Sequence, residues 1–250
     1  MIGCIIQARI GSTRLPKKIL KNLDYNSTVL DYVLSQISKS NLIDKIVLAT
    51  TTLPEDDIVD DFGKNLGFEV FRGDSIDVLD RYYQCAKKFN FQVIVRITSD
   101  CPLIDPEITD NVIGHFDSRK YDYVCNTQPR TFPQGTETEV FSFSALEHAW
   151  KNAKLPSERE HVTPFFYNNP QQFKILNVKN TENISKLRWC IDREEDLQVL
   201  RNIVLKITDR PILTKHILEI VNSNPEIFEK NKHISIFEGY EKSLKNDNTK

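Results

Sequence analysis

A polar loop near the start of the chain carries residue types that bind phosphate groups. Within ten positions it holds four basic side chains, two hydroxyls and a glycine, namely Arg9, Gly11, Ser12, Thr13, Arg14, Lys17 and Lys18. Fixed cations and backbone N–H donors of this kind suit a polyphosphate. The loop matches neither GxxxxGK(S/T) nor GxGxxG, so the P-loop and dinucleotide fingerprints do not apply. Composition alone fits a solvated basic loop equally well, but the position directly after the apolar segment 2–6 favours the phosphate site.

Two aspartates follow apolar segments later in the chain. Asp100 comes after the segment that ends in Thr98 and Ser99, and Asp192 comes after residues 187–191. A carboxylate at the tip of a buried strand can hold Mg²⁺ against a phosphate that faces the loop. Each also has a structural interpretation: Asp100 could cap a turn, and Asp192 could be a helix N-cap with Glu195 at N3. Two such aspartates together with the basic loop favour a magnesium–nucleotide site more strongly than any one segment does.

Motifs for other reaction classes are missing from the sequence. The five histidines show no HExxH or other metal-ligand spacing, which argues against a zinc site. No GxSxG segment supports a serine hydrolase, and no Asp-x-Asp pair after the fourth predicted strand supports a metal-dependent glycosyltransferase. His161 could contact a substrate, although a histidine on a helix surface is the default interpretation.

The elements that must position these residues alternate between apolar and amphipathic segments. Strands are predicted at 2–6, 45–50, 68–71 and 92–98, and helices at 28–38, from Pro54, at 76–89 and from the N-cap Asp105. Four strand–helix units in roughly the first 120 residues have the spacing of right-handed crossovers. This pattern predicts an open, mostly parallel α/β sheet, in which ligands bind at the carboxyl ends of the strands.

The rhythm changes after Tyr121, and the second half is predicted to be an antiparallel and helical elaboration. Strands are expected at 139–143, 173–178 and 187–191, and helices at 144–152, 157–167, 194–206 and 213–221. The polar residues 243–250 are expected to form a frayed tail.

Composition and charge exclude several classes of protein. The 250 residues include 33 Lys+Arg and 35 Asp+Glu, a net charge of −2 that offers no electrostatic basis for nucleic-acid binding. Hydrophobic residues at 40% and charged residues at 27% indicate a globular chain. No apolar run approaches the roughly 20 residues of a membrane span, and no signal-peptide pattern occurs. We therefore expect a soluble cytoplasmic protein whose five cysteines, an odd number without CxxC spacing, are reduced packing residues.

Nine short motifs occur in order over about 200 residues: 5–9 (IIQAR), 11–16 (GSTRLP), 49–52 (ATTT), 71–73 (FRG), 78–83 (VLDRYY), 96–98 (RIT), 100–106 (DCPLIDP), 157–164 (SEREHVTP) and 187–189 (LRW). Together they resemble the cytidylyltransferase family that includes acylneuraminate and 3-deoxy-octulosonate cytidylyltransferases, and most closely the branch of spore coat polysaccharide biosynthesis protein F. The resemblance implies a Rossmann-like, glycosyltransferase-A-like fold. It also implies an enzyme that uses Mg²⁺ to transfer CMP from CTP to a sugar acid, with release of pyrophosphate, in polysaccharide or surface-glycan biosynthesis.

The resemblance also implies roles for residues of this sequence. The catalytic residues would be Arg14, Lys18, Asp100 and Asp192, of which the two aspartates would bind the metal. The CTP site would be formed by Ala8, Arg9, Gly11, Ser12, Arg14, Lys18, Arg72, Gly73, Arg81, Thr98, Ser99 and Asp100. The sugar pocket would be formed by Gly135, Glu137, Glu139, Arg159 and His161.

A single nucleotidyltransferase domain is then expected over residues 1–242. Its parts would be a nucleotide-binding half (1–125), a sugar-pocket and dimerisation elaboration (126–185), and the second metal aspartate with the C-terminal helices (186–225). The family also implies a homodimer. Neither a nucleic acid nor a membrane is expected as a partner.

One position departs from the family pattern. The family has Pro-Gly-Lys in the first loop, and this chain has Pro16-Lys17-Lys18. If the usual glycine has a positive φ, Lys17 is strained by about 1 kcal/mol or more. We favour Lys18 as the lysine that contacts phosphate.

Two alternatives remain open at this point. The acceptor could be a sugar phosphate or another phosphate or acid, because the sequence says little about the acceptor pocket. The chain could also be a catalytically silent nucleotide-binding protein on the same scaffold. The basic loop and both aspartates occur together, which favours the enzyme.

Overall fold

The computed structural model describes residues 1–235 and 238–247. Its central sheet is formed by β1 (Ile2–Gln7), β2 (Lys45–Thr51), β3 (Glu69–Gly73), β4 (Val93–Thr98), β5 (Tyr123–Cys125), β6 (Glu139–Ser142) and β7 (Ile175–Asn177). The strand order is β3-β2-β1-β4-β6-β5-β7. Strands β1 to β4 are parallel, and β6 runs antiparallel to both β4 and β5. The predicted mostly parallel α/β sheet with an antiparallel second half is confirmed.

Helices connect the strands, and several begin at the capping residues that the sequence provides. They are α1 (Val29–Ile37), α2 (Asp57–Asn65), α3 (Val78–Lys88), α4 (Pro106–Gly114), α5 (Phe143–Asn152), α6 (Pro156–His161), α7 (Pro164–Asn168), α8 (Glu194–Val204), α9 (Thr214–Ser223) and α10 (Glu238–Asp247). Thr28 and Asp31 form a capping box on α1, and the carboxylates of Asp77 and Asp105 accept backbone N–H bonds at the starts of α3 and α4. No helix in these residues is both long and apolar enough to cross a bilayer.

The core lies on both faces of the sheet because neighbouring strand residues point to opposite sides. On β1, Ile5 packs on the face that carries α3 and α5, whereas Cys4 and Ile6 pack on the face that carries α1 and α4. A third apolar cluster joins α8 and α9 to the first loop, with Trp189 buried among them. All five cysteines are free and four are buried, as expected for packing residues.

The segment 187–191 is not the strand that its apolar pattern predicted. Within the part of the chain that the structure describes, its one ladder contact is an isolated bridge between Arg188 and Gln134. Trp189 and Ile191 instead fill the third cluster, and the N–H of Ile191 donates to the carbonyl of Asp100 at 2.8 Å. The apolar residues therefore reflect burial beneath α8 and not pairing in the sheet.

Three further differences concern one helix, one short strand and the C-terminal tail. The predicted helix 157–167 is two helices, because Val162 adopts φ 71° and ψ −55° and the N–H of Thr163 donates to the carbonyl of His161. This γ-turn is strained for a β-branched residue. Strand β5 was not anticipated, because three residues are too short to show a period. The expected frayed tail is wrong for residues 243–247, which belong to α10, and residues 248–250 lie outside the described chain.

Candidate active site

A polar cavity of about 490 Å³ opens at the carboxyl ends of β1 and β4. The loop after β1 forms one side, and α3, α6 and α10 contribute to the others. The cavity is lined by these predicted residues: Ala8, Arg9, Gly11, Ser12, Arg14, Lys18, Arg81, Thr98, Ser99, Asp100, His161 and Asp192. The edge of the sheet that topology favours for ligands therefore carries most of the predicted site.

Lys18 lies between the two aspartates. Its Nζ is 2.7 Å from Oδ2 of Asp100 and 3.0 Å from Oδ1 of Asp192, and it donates to the carbonyl of Ile191 at 2.8 Å. Burial opposes the charge on Lys18, but the two carboxylates outweigh it and raise the pKa of the ammonium. Burial likewise opposes the charge on each aspartate, and the neighbouring cations hold both carboxyl pKa values below 3.8. The three groups are thus charged together at neutral pH.

Asp192 is held by two arginines as well. Arg14 forms an ion pair with Oδ1 of Asp192, and the buried Arg188 donates to Oδ2 at 3.0 Å. Arg188 also pairs with the buried Asp196, whose Oδ2 accepts from the backbone N–H of Asp192 at 2.9 Å and of Arg193 at 3.0 Å. Arg193 is therefore the N-cap of α8 and Asp196 its N3 residue, so the alternative with Asp192 and Glu195 in these positions is wrong.

The structure separates the two neighbouring lysines of the first loop. Lys17 is exposed, does not line the cavity and adopts the left-handed conformation with φ 55° and ψ 30°. This is the conformation that a glycine adopts without steric cost. Lys18 is the lysine that faces the cavity.

Three further arginines lie near the end of β1. Arg9 is exposed and donates to the carbonyl of Ser75 at 3.3 Å. Arg81 is buried and donates to the carbonyl of Asp74 at 2.7 and 2.9 Å, and burial together with the charge of Arg9 lowers its pKa. Arg96 lines the cavity from β4 and forms an ion pair with Glu139 below it. Arginine charge therefore surrounds the start of the loop.

Two predicted nucleotide residues, Arg72 and Gly73, lie outside the cavity. The guanidinium of Arg72 donates to the carbonyls of Thr51 at 2.8 Å and Leu53 at 2.9 Å, which ties β3 to the end of β2. A Cβ on Gly73 would lie 2.8 Å from Cγ of Arg81. Both residues support the wall that carries Arg81.

Four of the five predicted sugar-pocket residues also lie outside the cavity. Gly135 has φ 102° and packs on Trp189, and its N–H donates to Glu137, which is ion-paired with Arg130. Glu139 is buried beneath the cavity, where it accepts from Arg96 and Tyr123.

Arg159 is the fourth of these residues. It forms an ion pair with Asp77 and donates to the carbonyl of Trp150 at 2.7 Å, so it fastens α6 to α3 and α5. His161, the fifth, does line the cavity.

Thr13, a member of the basic loop, also lines the cavity. The other lining residues were given no role from the sequence, and they are Gln7, Ile19, Val78, Arg96, Glu160, Gly239, Lys242, Ser243 and Asn246. Among the described residues, Gln7 Oε1 and Arg96 Nε are buried atoms without a hydrogen-bond partner, and both residues face this cavity. Arg96 begins the motif 96–98 (RIT), but its pairing with Glu139 depends on the register of β4 and β6.

A cavity with this lining can bind a polyanion. Arg9, Arg14 and Lys18 supply positive charge from one loop, and the hydroxyl of Ser12 lies among them. The carboxylates of Asp100, just after β4, and of Asp192, just before α8, lie against this loop and form ion pairs with Arg14 and Lys18. Fixed cations in a partly enclosed site stabilise charge that develops on phosphate oxygens during transfer.

The chain is similar to known proteins over most of its length. A family model described as cytidylyltransferase matches residues 3–234. The spore coat polysaccharide biosynthesis protein SpsF of Bacillus subtilis is 33% identical over 232 residues, which cover 89% of this chain and 94% of that protein. A 3-deoxy-manno-octulosonate cytidylyltransferase of Syntrophotalea carbinolica is 30% identical over 113 residues, or 45% of this chain and 44% of that protein.

The solved structure of a cytidylyltransferase from Leptospira borgpetersenii has the same arrangement of elements. Its TM-score with this chain is 0.89 at 35% identity, and the match covers 94% of this chain and 98% of that one. The similarity therefore includes the strands, the first loop and the segment around Asp192.

Proposed function

The chain belongs to the cytidylyltransferase family, as its motifs predicted, and on that premise we propose that it transfers CMP from CTP to a sugar acid and releases pyrophosphate. The observation that carries the proposal is the convergence of Arg14 and Lys18 on Asp100 and Asp192 at one end of the cavity. These four residues come from three distant parts of the sequence.

The names of relatives support the choice of acceptor. One relative is described by its action on 3-deoxy-manno-octulosonate, a sugar acid, and another by its part in spore coat polysaccharide biosynthesis. We propose a nonulosonic acid or a 3-deoxy sugar acid as the acceptor, and a polysaccharide or surface glycan as the destination of the product.

The reaction is a displacement at phosphorus. A hydroxyl oxygen of the sugar acid attacks the α-phosphorus of CTP in line, the bond to the bridging oxygen of pyrophosphate breaks, and that oxygen takes the electron pair while the hydroxyl loses its proton. Negative charge grows on the leaving and non-bridging oxygens. Arg9, Ser12, Arg14 and Lys18 would hold the triphosphate and stabilise this charge.

The pair of carboxylates in the cavity fits magnesium. Mg²⁺ in phosphate sites is bound by one or two carboxylates together with substrate oxygens, and Asp100 and Asp192 are two carboxylates close enough to share one ammonium group. These two residues would hold the ion, which when bound supplies Lewis-acid polarisation of the phosphate and neutralises charge. Lys18, which contacts both carboxylates, keeps the pair ionised and oriented.

Thermal unfolding with each of CTP, UTP, ATP and GTP, with and without Mg²⁺, tests the proposal. A ligand present at about 100 times its dissociation constant stabilises the folded state by about 2.7 kcal/mol, which is a measurable shift in Tm. We expect stabilisation by CTP and not by the other three. Preference for another base would overturn the cytidylyl assignment and keep the reaction class, whereas no binding by any nucleotide would overturn the proposal.

The acceptor is tested by following pyrophosphate release with CTP and sugar acids, beginning with N-acetylneuraminate and 3-deoxy-manno-octulosonate. Release that depends on a sugar acid supports the proposal. Release that occurs only with sugar phosphates or other phosphates would change the acceptor class.

A further inference from the structure

Helix α10 lines the cavity although it follows the part of the chain that matches the family. The match ends at residue 234, and α10 begins at Glu238. Four of its residues face the cavity: Gly239, Lys242, Ser243 and Asn246. Their spacing of three, four and seven positions places them on one face of a helix. One whole face of α10 is therefore part of the candidate active site.

Hydrogen bonds fasten α10 to α6. The hydroxyl of Ser243 is 2.7 Å from Oε2 of Glu160 and 2.9 Å from Nε2 of His161. Asp247 accepts from the backbone N–H of Ser157 at 2.9 Å and from its hydroxyl at 2.6 Å. Ser243 is almost fully buried in this contact.

The other end of α10 lies against the basic loop after β1. Glu238 accepts from Arg193 at 2.7 Å, next to Asp192 in sequence. A Cβ built on Gly239 would lie 3.7 Å from Nη1 of Arg14. The helix thus crosses from the basic loop to α6. The face of α10 that carries the four lining residues closes one side of the cavity.

Lys242 adds a positive charge to this face. Arg14 and Lys18 are neutralised by the aspartates, whereas Lys242 forms no ion pair with any residue in 1–235 or 238–247. It is exposed and lies one turn after Gly239. An ammonium group on a flexible stem in this position is available to an anion that enters the cavity.

We infer that α10 is a wall of the active site that the family match does not include, and that Lys242 binds an anionic group of a bound substrate. The group is a phosphate of CTP or the carboxylate of the sugar acid. This inference rests on the proposed function and adds a binding residue to it.

Two charge reversals on the same helix test the inference. Lys242→Glu reverses the charge inside the cavity, and Lys245→Glu makes the same change at an exposed position that does not line it. Lys242→Gln, which removes the charge without reversing it, replaces Lys242→Glu if the latter shows a lowered Tm. CTP affinity is measured by titration calorimetry with Mg²⁺, and the KM of the sugar acid is measured by pyrophosphate release with N-acetylneuraminate and 3-deoxy-manno-octulosonate.

We expect Lys242→Glu either to weaken the affinity for CTP or to raise the KM of the sugar acid, in each case by about tenfold or more. This is the range expected for the loss of a hydrogen bond to a charged group. Weaker CTP binding identifies a phosphate as the partner. Unchanged CTP binding with a higher KM for the sugar acid identifies the carboxylate. Lys245→Glu should keep the wild-type values of both.

Unchanged CTP affinity and unchanged KM in Lys242→Glu would overturn the inference and leave the proposed function intact. A wild-type protein that does not bind CTP would overturn the proposed function and the inference with it. If the wild type binds CTP but uses neither sugar acid, the acceptor class fails, and an unchanged CTP affinity in Lys242→Glu then overturns the inference as well.

Discussion

Lys18, Asp100 and Asp192 form a small cluster in which each charge depends on the others. Two carboxylates that share one site repel each other, and the ammonium group between them makes it favourable for both to be ionised. Arg14 and Arg188 complete the surroundings of Asp192. An incoming triphosphate would compete with the aspartates for Arg14 and Lys18, so binding would rearrange these ion pairs.

Asparagine at either position tests the roles of the two aspartates. We expect Asp100→Asn and Asp192→Asn each to lower kcat/KM by more than about 100-fold, because both side chains face the cavity where charge develops. The free energy of unfolding should change by about 2 kcal/mol or less, since Lys18 keeps one carboxylate partner in each variant.

Pyrophosphate release and urea denaturation measure the two quantities. Asp110→Asn, on α4 and outside the cavity, is the control and should retain the wild-type rate. A wild-type rate in either aspartate variant would remove that residue from the mechanism.

Position 17 provides a separate test of backbone strain. Lys17→Gly should raise the free energy of unfolding by about 0.5 to 1 kcal/mol, because glycine adopts φ 55° without a Cβ clash, although it gains entropy in the unfolded chain. Lys17→Ala keeps the Cβ and should match the wild type in urea denaturation. Equal stabilisation by alanine and glycine would contradict the backbone explanation.

At the scale of secondary structure, one buried carboxylate joins two helices. Oδ1 of Asp105 accepts from the N–H groups of Glu107 and Ile108 at the start of α4. Its Oδ2 accepts from the N–H of Thr214, the first residue of α9, at 2.7 Å. A single side chain thus fixes the orientation of α9 relative to α4.

Asp105→Ala should lower the free energy of unfolding by about 2 kcal/mol, because it removes the caps of two helices at once. Asp105→Asn should lower the free energy of unfolding by less, since its one amide oxygen can still cap α4. Its NH₂ group cannot accept from the N–H of Thr214. Urea denaturation measures both variants, and CTP affinity should stay at the wild-type value in both. Equal losses would show that the cap on α4 carries no stability, and a wild-type stability in Asp105→Asn would show the same for the contact to α9.

The contact between α6 and α10 gives the protein a pH-dependent stability. Burial lowers the pKa of His161, and the nearby Arg96 and Arg9 add to this effect against Glu160 and Glu139. Between pH 6.5 and the lower pKa of His161 in the folded state, the unfolded chain therefore binds more protons than the folded chain. The folded state loses stability as the pH falls from 6.5 through the pKa of His161.

His161→Gln removes this titration. We expect its free energy of unfolding to fall less steeply between pH 6.5 and pH 5 than that of the wild type, whose slope from this group approaches about 1.4 kcal/mol per pH unit. Urea denaturation at several pH values measures the slope. His115→Gln, at an exposed position on the surface, is the control and should keep the wild-type slope. Parallel curves for the wild type and His161→Gln would contradict the prediction.

At the scale of the whole molecule, the cavity is assembled from six separate parts of the chain. They are the loop after β1, the first half of α3, the end of β4, the end of α6, the residue before Arg193, and α10. These parts pack against the three apolar clusters, and α10 is hydrogen-bonded to α6. The geometry of the site is therefore maintained by the packing of the whole fold.

The family resemblance also predicts a homodimer formed through residues 127–180. Light scattering is expected to give twice the chain mass of 29.0 kDa. The exposed Leu155 lies in this region, and Leu155→Asp should shift the mass toward the monomer if the surface is the interface. A mass of one chain for the wild type would contradict the prediction.

Local chemistry in the sequence was enough for the arrangement of the first half and for part of the site. Apolar runs such as residues 2–6 and amphipathic stretches such as 28–38 have periods that follow directly from burial on a strand or a helix. Asp105 before Pro106 indicated a helix start because a cap is a contact between residues close in sequence. The basic loop after β1 was recognisable for the same reason, since its four charges lie within ten positions of the sequence.

The tertiary structure alone decided which distant side chains meet. An apolar segment at 187–191 fits a strand or a buried loop equally well, and packing beneath α8 made it a loop. Glu139 and Arg159 carry charges that suit a sugar pocket, but the register of β6 with β4 and the docking of α6 on α3 turned both toward other protein groups. Helix α10 looked like a polar tail because its one buried face is satisfied by hydrogen bonds to α6 and by the cavity, contacts that leave no hydrophobic period in the sequence.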